Sequence, residues 1–451
     1  MTSRPMPPRA MTRRSFVAAG ASSAFFPGLA SAQANRPTNP DVVIIGAGAA
    51  GIAAAHVLAA SGISYVHVEA APEVGGRAVT ETTTFGVPFD HGAHWVQNQQ
   101  RNPYFGRAQV GAGRFYKAPE NYSFYNSDGP SDGAAQGEFW AAVEQVQTAI
   151  ATAGKRNQDV APASVAPIDM PWAHTAWFYT GPWIMGKDMD QFSCADWWNS
   201  AGSVDWYHAD GYGQLVRTHA AALPVSLNTP VSKIKWGGDG VVVETSNGTI
   251  NAKAVIVTVS TGVLASGDIT FDPPLPVEKQ ETFQGISMGY YNHIALHFSQ
   301  DIFGMGEDGY VFHKVDDSYE AFGALTNASG SGLAYCDTGG SFARELEQAG
   351  EAVAIDFVKG TLRNMIGADV DRYLIGAAAT EWGKNPYVQG CYASAEPGAF
   401  ALRDVLRAPV GERVFFAGEA CHKDLWATVG GADLSGIETA TTVARIVLKN
   451  G

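Results

Sequence analysis

The sequence predicts an α/β fold in which a parallel-sheet domain is interrupted by an inserted α+β domain. Three observations carry this. An apolar run ends in a glycine-rich turn at residue 46; an Ala-rich segment without breakers leads to a second apolar run closed by an acid; and buried-strand character returns at residues 254–259 and 414–417. A chain of 451 residues also exceeds what one small core serves and suits two packed domains.

Residues 1–34 read as an export signal. Arg13 and Arg14 precede a modestly apolar stretch from Phe16 to Ala30, and Ala30-Ser31-Ala32 or Ala32-Gln33-Ala34 suits a signal peptidase. A twin-arginine pair in this setting is the Tat pattern, which carries folded proteins and predicts a periplasmic or secreted product. No other stretch is long and apolar enough to span a bilayer, so no membrane anchor is expected. The formal net charge of −14 disfavours nucleic acid and weakly favours cationic ligands. Cys194, Cys336, Cys391 and Cys421 show no C-x-x-C spacing and no neighbouring His at zinc-site spacing, so no metal is expected.

In chain order, Asp41 to Ile45 reads as a buried strand, Ile52 to Ala60 as a helix stopped by Ser61-Gly62, and Tyr65 to Glu69 as the next strand. Residues 100–205 lose this pattern and turn aromatic and Gly/Pro-rich, with one clear helix at Glu138 to Ala151. Gly213 to Ala222 reads as helix. Val231 to Trp236, Gly240 to Thr245 and Thr249 to Ala252 read as strands, with a hairpin turn at Asn247-Gly248. Ala254 to Val259 and Ile294 to Phe298 are further strands, 341–365 contains a long amphipathic helix, and Ala432 to Leu448 is the final helix. The parallel-sheet domain is thus expected from residues 40–115, 207–285 and 376–451, and the inserted domain from 116–206 and 286–375.

The motif Gly46-Ala47-Gly48-Ala49-Ala50-Gly51 sits between strand and helix, with Glu69 ending the next strand. In that context it is a Rossmann-like dinucleotide fingerprint. Gly46 permits the tight turn, Gly48 lets backbone approach a pyrophosphate, and Gly51 lets the helix approach the strand. The helix N-terminus at Ala50 offers free N–H groups to phosphate. Glu69 suits a ribose hydroxyl and disfavours a 2′-phosphate. The fingerprint alone does not separate FAD from NAD.

The segments that follow do. Gly75-Gly76-Arg77, Gly92-Ala93-His94-Trp95, Gly418-Glu419 and Gly430-Gly431-Ala432, with Gly213-Gln214-Leu215, Val231 and Phe271-Asp272-Pro273-Pro274, together resemble the flavin amine oxidase family, from about residue 40 to the C-terminus. The resemblance implies a two-domain fold with FAD as cofactor. Gly75, Gly76 and Arg77 would wrap FAD, and Gly92, Ala93, His94 and Trp95 would pass its ring. Val231 would meet the adenine, Gly418 and Glu419 the pyrophosphate and ribityl chain, and Gly431 and Ala432 would point a helix N-terminus at the ring. Trp382 and Cys391 would flank the flavin, with Cys391 matching the residue that some relatives bond covalently to FAD. The implied reaction is oxidation of a small-molecule amine: hydride passes to flavin N5, and the imine hydrolyses.

Several positions depart from the family pattern. Where relatives carry a lysine that holds a water against the flavin, this chain has His293, which is expected to hold that water and exchange a proton near neutral pH. Gln97 stands where polyamine oxidases often carry Glu or His. Tyr392 matches one wall of an aromatic cage, but the opposite wall falls on Thr428, with Trp426 two residues away as its substitute. Oxygen, giving hydrogen peroxide, is the expected electron acceptor. Loss of the lysine keeps open a dehydrogenase that serves a periplasmic carrier. Arg101, Arg107 and Arg114 keep an L-amino-acid oxidase open, and a non-amine FAD oxidoreductase of the same fold is the third alternative.

Overall fold

The computed structural model describes residues 39–108, 114–202 and 204–449; the expected export signal at 1–34 lies outside them. Its base is a five-stranded parallel sheet in the order Val414–Phe416, Ala254–Val257, Val42–Ile45, Tyr65–Val68 and Val225–Ser226. The strands are apolar throughout because both faces of such a sheet are buried. Val42 and Ile44 pack against the helices Ala49–Ala60 and Val429–Lys449, while Val43 and Ile45 pack on the opposite side with Ile234, Val241 and Val243. The latter belong to a four-stranded sheet of Gly248–Ala252, Val241–Thr245, Val231–Lys235 and Thr270–Asp272, whose hairpin turns at Ser246-Asn247, one residue before the expected Asn247-Gly248, because Gly248 pairs with Thr245.

A second large sheet has seven strands, in the order Leu374–Ala379, Tyr291–Phe298, Leu333–Gly339, Gly323–Thr326, Gly309–His313, Tyr122–Asn126 and Gly129–Pro130. Alternation along the strands gives it two faces. Ile294, Leu296, Val311 and Ala324 pack with Val358 and Leu362 of the helix Glu351–Ile366. Ala295, Tyr310, Phe312 and Tyr335 look the other way, into an aromatic core with Phe139, Trp172 and Trp177.

Three further sequence expectations are corrected. The stretch 100–205 is not without pattern: Tyr122–Asn126 enters the seven-stranded sheet by pairing parallel to Gly309–His313. That partner lies far away in sequence, and the local partner, Gly129–Pro130, is a strand of only two residues. The single long helix in 341–365 is two, Gly340–Ala349 and Glu351–Ile366, separated at Gly350, whose φ of 102° no helix accommodates. Leu374–Ala379 crosses the expected boundary at 375/376, because it pairs with Tyr291–Phe298.

The helices Ala49–Ala60 and Val429–Lys449 meet closely at Gly436, where an added Cβ would overlap the Ala50 carbonyl. Gly436→Val is therefore expected to destabilise the protein by about 1–3 kcal/mol through overpacking, read as a lowered melting temperature.

Candidate active site

The glycine turn is built as its motif requires. Gly46 has φ 101°, its N–H donates to Val68 O at 2.8 Å, and a Cβ on Gly51 would overlap the Gly46 carbonyl. His67 packs beneath; burial pushes its pKa down to about 4, and the neutral ring contacts the Gly46 carbonyl at 2.8 Å. Gly48 caps the helix with extended backbone, no side-chain cap and no acid in the first turn. The first-turn N–H groups at Ala49 and Ala50 thus meet no anionic side chain of the helix, the setting in which phosphate binds. Gly75 bridges to Gly48, and a Cβ on Gly76 would stand 3.3 Å from the Gly48 Cα, so neither position has room for a side chain. Glu69 does more than the motif suggests. Its carboxylate accepts from Ala47 N at 2.5 Å and Ala71 N at 2.8 Å, and so braces the turn. Burial raises its pKa, and those backbone donors oppose the rise. Val231 opens its strand two residues after Thr229, whose N–H donates to the Glu69 carbonyl at 2.8 Å.

Glu419 draws the distant pieces together. Oε1 accepts from Arg77 Nη1 at 2.9 Å and Ala393 N at 3.1 Å, and Oε2 accepts from Ala427 N at 2.8 Å. Arg77 also donates to the Cys391 carbonyl at 2.8 Å. One carboxylate therefore binds the Gly75–Arg77 segment, the segment carrying Tyr392 and the approach to the last helix. Gly418, with φ 144°, lies over Thr258, and its N–H donates to Ser435 Oγ at 3.2 Å. Arg77, Gly418 and Glu419 line a cleft with Thr258 and Ser260, at the C-terminal edge of the parallel sheet. The open glycine turn, the unobstructed helix N-terminus and this cleft fit FAD.

The Gly92–Trp95 loop joins the two sheets. Ala93 N donates to the Arg77 carbonyl at 2.9 Å, and Trp95 Nε1 donates to the Tyr310 hydroxyl at 3.2 Å. A Cβ on Gly92 would overlap the Arg77 carbonyl and crowd the Trp382 ring, whose Nε1 donates to His91 O at 2.8 Å. His94 contacts Asp90 at 3.1 Å and lies against Tyr207 and Tyr335, each with its ring centroid 4.5 Å away.

His293 is not placed to hold a water. Its Nδ1 meets Asp337 Oδ1, the residue directly opposite on the next strand, and its Nε2 meets the Gly92 carbonyl at 2.8 Å. Both nitrogens face protein acceptors and the ring is 1% exposed. Burial opposes the cation, but the Asp337 charge and hydrogen bond, with the Gly92 carbonyl, outweigh it and raise the pKa. His293 thus pins the Gly92 loop onto the sheet.

Tyr392 donates to the Ile184 carbonyl at 3.0 Å, and the ring facing it is Tyr291, 6.1 Å away. Thr428 is not that wall. Its hydroxyl accepts from Gly431 N at 2.9 Å and donates to Leu425 O at 2.7 Å, starting the last helix beside Gly431 and Ala432. Nor is Trp426, whose ring is covered by the Arg403 guanidinium at 4.5 Å. Sequence reasoning passed over Tyr291, although its period-2 spacing from His293 puts it on the same strand face. Cys391 is buried, and burial pushes its thiol up to about 12, which disfavours the reactive thiolate. Arg101, Arg107 and Arg114 are each paired with a carboxylate, Asp424, Asp433 and Glu307. None of the three is poised to grip a substrate carboxylate.

A parallel-sheet dinucleotide site closed by an aromatic-lined second sheet defines a flavin-dependent oxidoreductase. The model of the family described as flavin containing amine oxidoreductase matches residues 187–444, and that of an NAD(P)-binding Rossmann-like domain matches 44–107. The chain belongs to the flavin-containing amine oxidoreductases: it is an FAD-dependent enzyme that oxidises amines. It is 28% identical to polyamine oxidase 4 of Oryza sativa subsp. japonica, over 91% of this chain and 90% of that one. It is also 28% identical to the lysine-specific histone demethylase 1 homolog 1 of the same plant, covering 90% of this chain but only 52% of that protein. A solved putrescine oxidase bound to putrescine shares the fold, with TM-score 0.75, 20% identity, and coverage of 90% of this chain and 99% of that one.

Two outcomes are expected. Glu419→Gln sets an amide donor against a backbone N–H and removes the charge facing Arg77. It should cost about 2 kcal/mol and lower the FAD content of purified protein, measured by absorbance. Because the folded pKa of His293 is raised, its stabilising contribution is full below the unfolded imidazole value and lost as pH rises through the folded one. The difference in melting temperature between wild type and His293→Gln should therefore shrink as pH rises above neutrality.

Proposed function

We propose that this chain is an exported oxidase of a primary or secondary small-molecule amine, holding FAD without a covalent bond and passing electrons to oxygen to give hydrogen peroxide. The observation that carries this reading is the Glu419 clamp. It brings Arg77 of the dinucleotide site within 2.9 Å of the carboxylate that also fixes Ala393, the residue after Tyr392. FAD, when bound, supplies the acceptor for the hydride leaving the amine α-carbon. The protein's part is to enclose and dry the site. Tyr291 and Tyr392 form the aromatic walls, and the water-poor surface favours the neutral amine that can give up a hydride. The paired state of Arg101, Arg107 and Arg114 speaks against a substrate bearing an α-carboxylate. Export by the Tat route rests on Arg13, Arg14 and the apolar stretch after them. Among the described residues, no helix is long and apolar enough to cross a membrane.

A second reading, a dehydrogenase serving a periplasmic carrier, is favoured by His293, both of whose nitrogens are engaged by Asp337 and Gly92.

Anaerobic mixing with an amine panel tests the proposal. Loss of the oxidised flavin band with one amine class is expected, and admission of air should restore the band and yield peroxide. Recovery only with an added one-electron acceptor would favour the dehydrogenase, and no bleaching with any amine would refute both.

A further inference from the structure

The far face of the seven-stranded sheet carries a second polar enclosure. Tyr291 and His293 look toward the aromatic side, so alternation turns Asn292 and Ile294 the other way, toward the helices Gly340–Ala349 and Glu351–Ile366. A small cavity lies there, with room for about one water-sized species. Asn292, Thr338, Glu347, Glu351, Thr380 and Glu381 supply its polar lining. Asn292 and Thr338 stand directly opposite each other on paired strands, so both side chains share the cavity face.

Two groups in this lining are incomplete. Thr338 is 1% exposed, and its Oγ1 has no hydrogen-bond partner among the described residues. Glu347 is 4% exposed. Its carboxylate accepts from Asn292 Nδ2 at 3.0 Å and from Lys384 N at 2.5 Å, both neutral donors. Among the described residues it has no cationic partner, and the nearby Lys384 ammonium is taken by Glu381 at 2.7 Å. Glu347 also stands in the last turn of Gly340–Ala349, a turn without a basic residue, where the helix carbonyls already make the potential negative. A buried carboxylate so placed is costly until a cation joins it, and the unpartnered Thr338 oxygen offers that cation a second ligand.

We propose that this cavity binds one compact monovalent cation, ammonium or potassium, which share a charge and nearly share a size. Glu347 supplies the balancing charge and Thr338 a neutral oxygen. One buried carboxylate among hydroxyl and amide oxygens suits a single charge, whereas a divalent ion calls for more carboxylates and more oxygens. Ammonium has a source at hand: the imine of a primary amine and water give a carbonyl compound and ammonia, which is protonated at neutral pH. The cavity is tied to the flavin side through backbone. Asn292 Oδ1 accepts from Trp382 N at 3.1 Å, and Thr380 Oγ1 accepts from His293 N at 2.9 Å. The Trp382 ring packs on Gly92, and His293 holds the Gly92 carbonyl, so a cation on Glu347 steadies the loop that passes the flavin.

Thermal melting of the holoenzyme tests this without substrate, so the outcome is independent of amine oxidation. The protein is dialysed into choline chloride, whose cation is too large for the cavity, and choline is then replaced by potassium or by ammonium at constant ionic strength. A saturable rise in melting temperature is expected. A rise with ammonium alone marks a site that responds to product, a rise with potassium alone marks a resident ion, and a rise with both supports the shared chemistry. Glu347→Gln should abolish the rise. Should that variant fold poorly, Thr338→Val serves, because it removes a hydroxyl that has no partner. It should melt in choline no lower than wild type, yet raise the half-saturating cation concentration roughly tenfold. Equal melting temperatures in all three salts overturn the inference, as does a rise that either folded variant retains unchanged.

Discussion

The buried carboxylate of Glu419 is the constraint on which the site depends. Its oxygens receive Arg77 and two backbone N–H groups, from Ala393 and Ala427. These contacts join segments far apart in the chain, and two of them satisfy backbone N–H groups, of Ala393 and Ala427, within the fold. A carboxylate suits this position because it only accepts, and it balances the guanidinium. The dinucleotide turn, the Tyr392 segment and the last helix are therefore held in one arrangement.

The Gly92–Trp95 loop extends that arrangement to the second sheet. It hangs from Arg77 by the Ala93 N–H and is pressed against the seven-stranded sheet by His293 and by the Trp95–Tyr310 hydrogen bond. The loop so held carries the residues that lead from the flavin side toward Gln97. His293 thus works as a brace between backbone and Asp337. That use differs from the solvent-handling role that a lysine at this position implies, and it leaves the chemistry to the dinucleotide and to a dry aromatic surface.

The aromatic face itself follows from strand alternation. Tyr291, His293 and Ala295 share one side of their strand with Tyr335 and Asp337 of the neighbour, because register places His293 opposite Asp337 and Ala295 opposite Tyr335. Rings from the helical region around Tyr179–Trp183 complete the wall. The Asp337 carboxylate within it accepts from the Tyr291 hydroxyl at 2.8 Å and orients His293.

The dinucleotide fold was legible from local pattern alone. The glycine turn, the acid at the end of the next strand and the buried apolar runs are all constraints that neighbouring residues impose on one another, so they are written within short windows. Family resemblance placed Arg77 and Glu419 each beside the cofactor but did not pair them with one another; that pairing appears only in the fold. Tyr291 could have been found from its period-2 relation to His293. The capping of the last helix by Thr428 is local, to Leu425 and Gly431, but the engagement of both His293 nitrogens depends on pairings between distant strands and loops. Backbone hydrogen-bond register chooses those pairings, and no window of sequence records it. The sequence by itself determined the cofactor class and the reaction class, and the tertiary structure decided which side chains are free to meet a substrate.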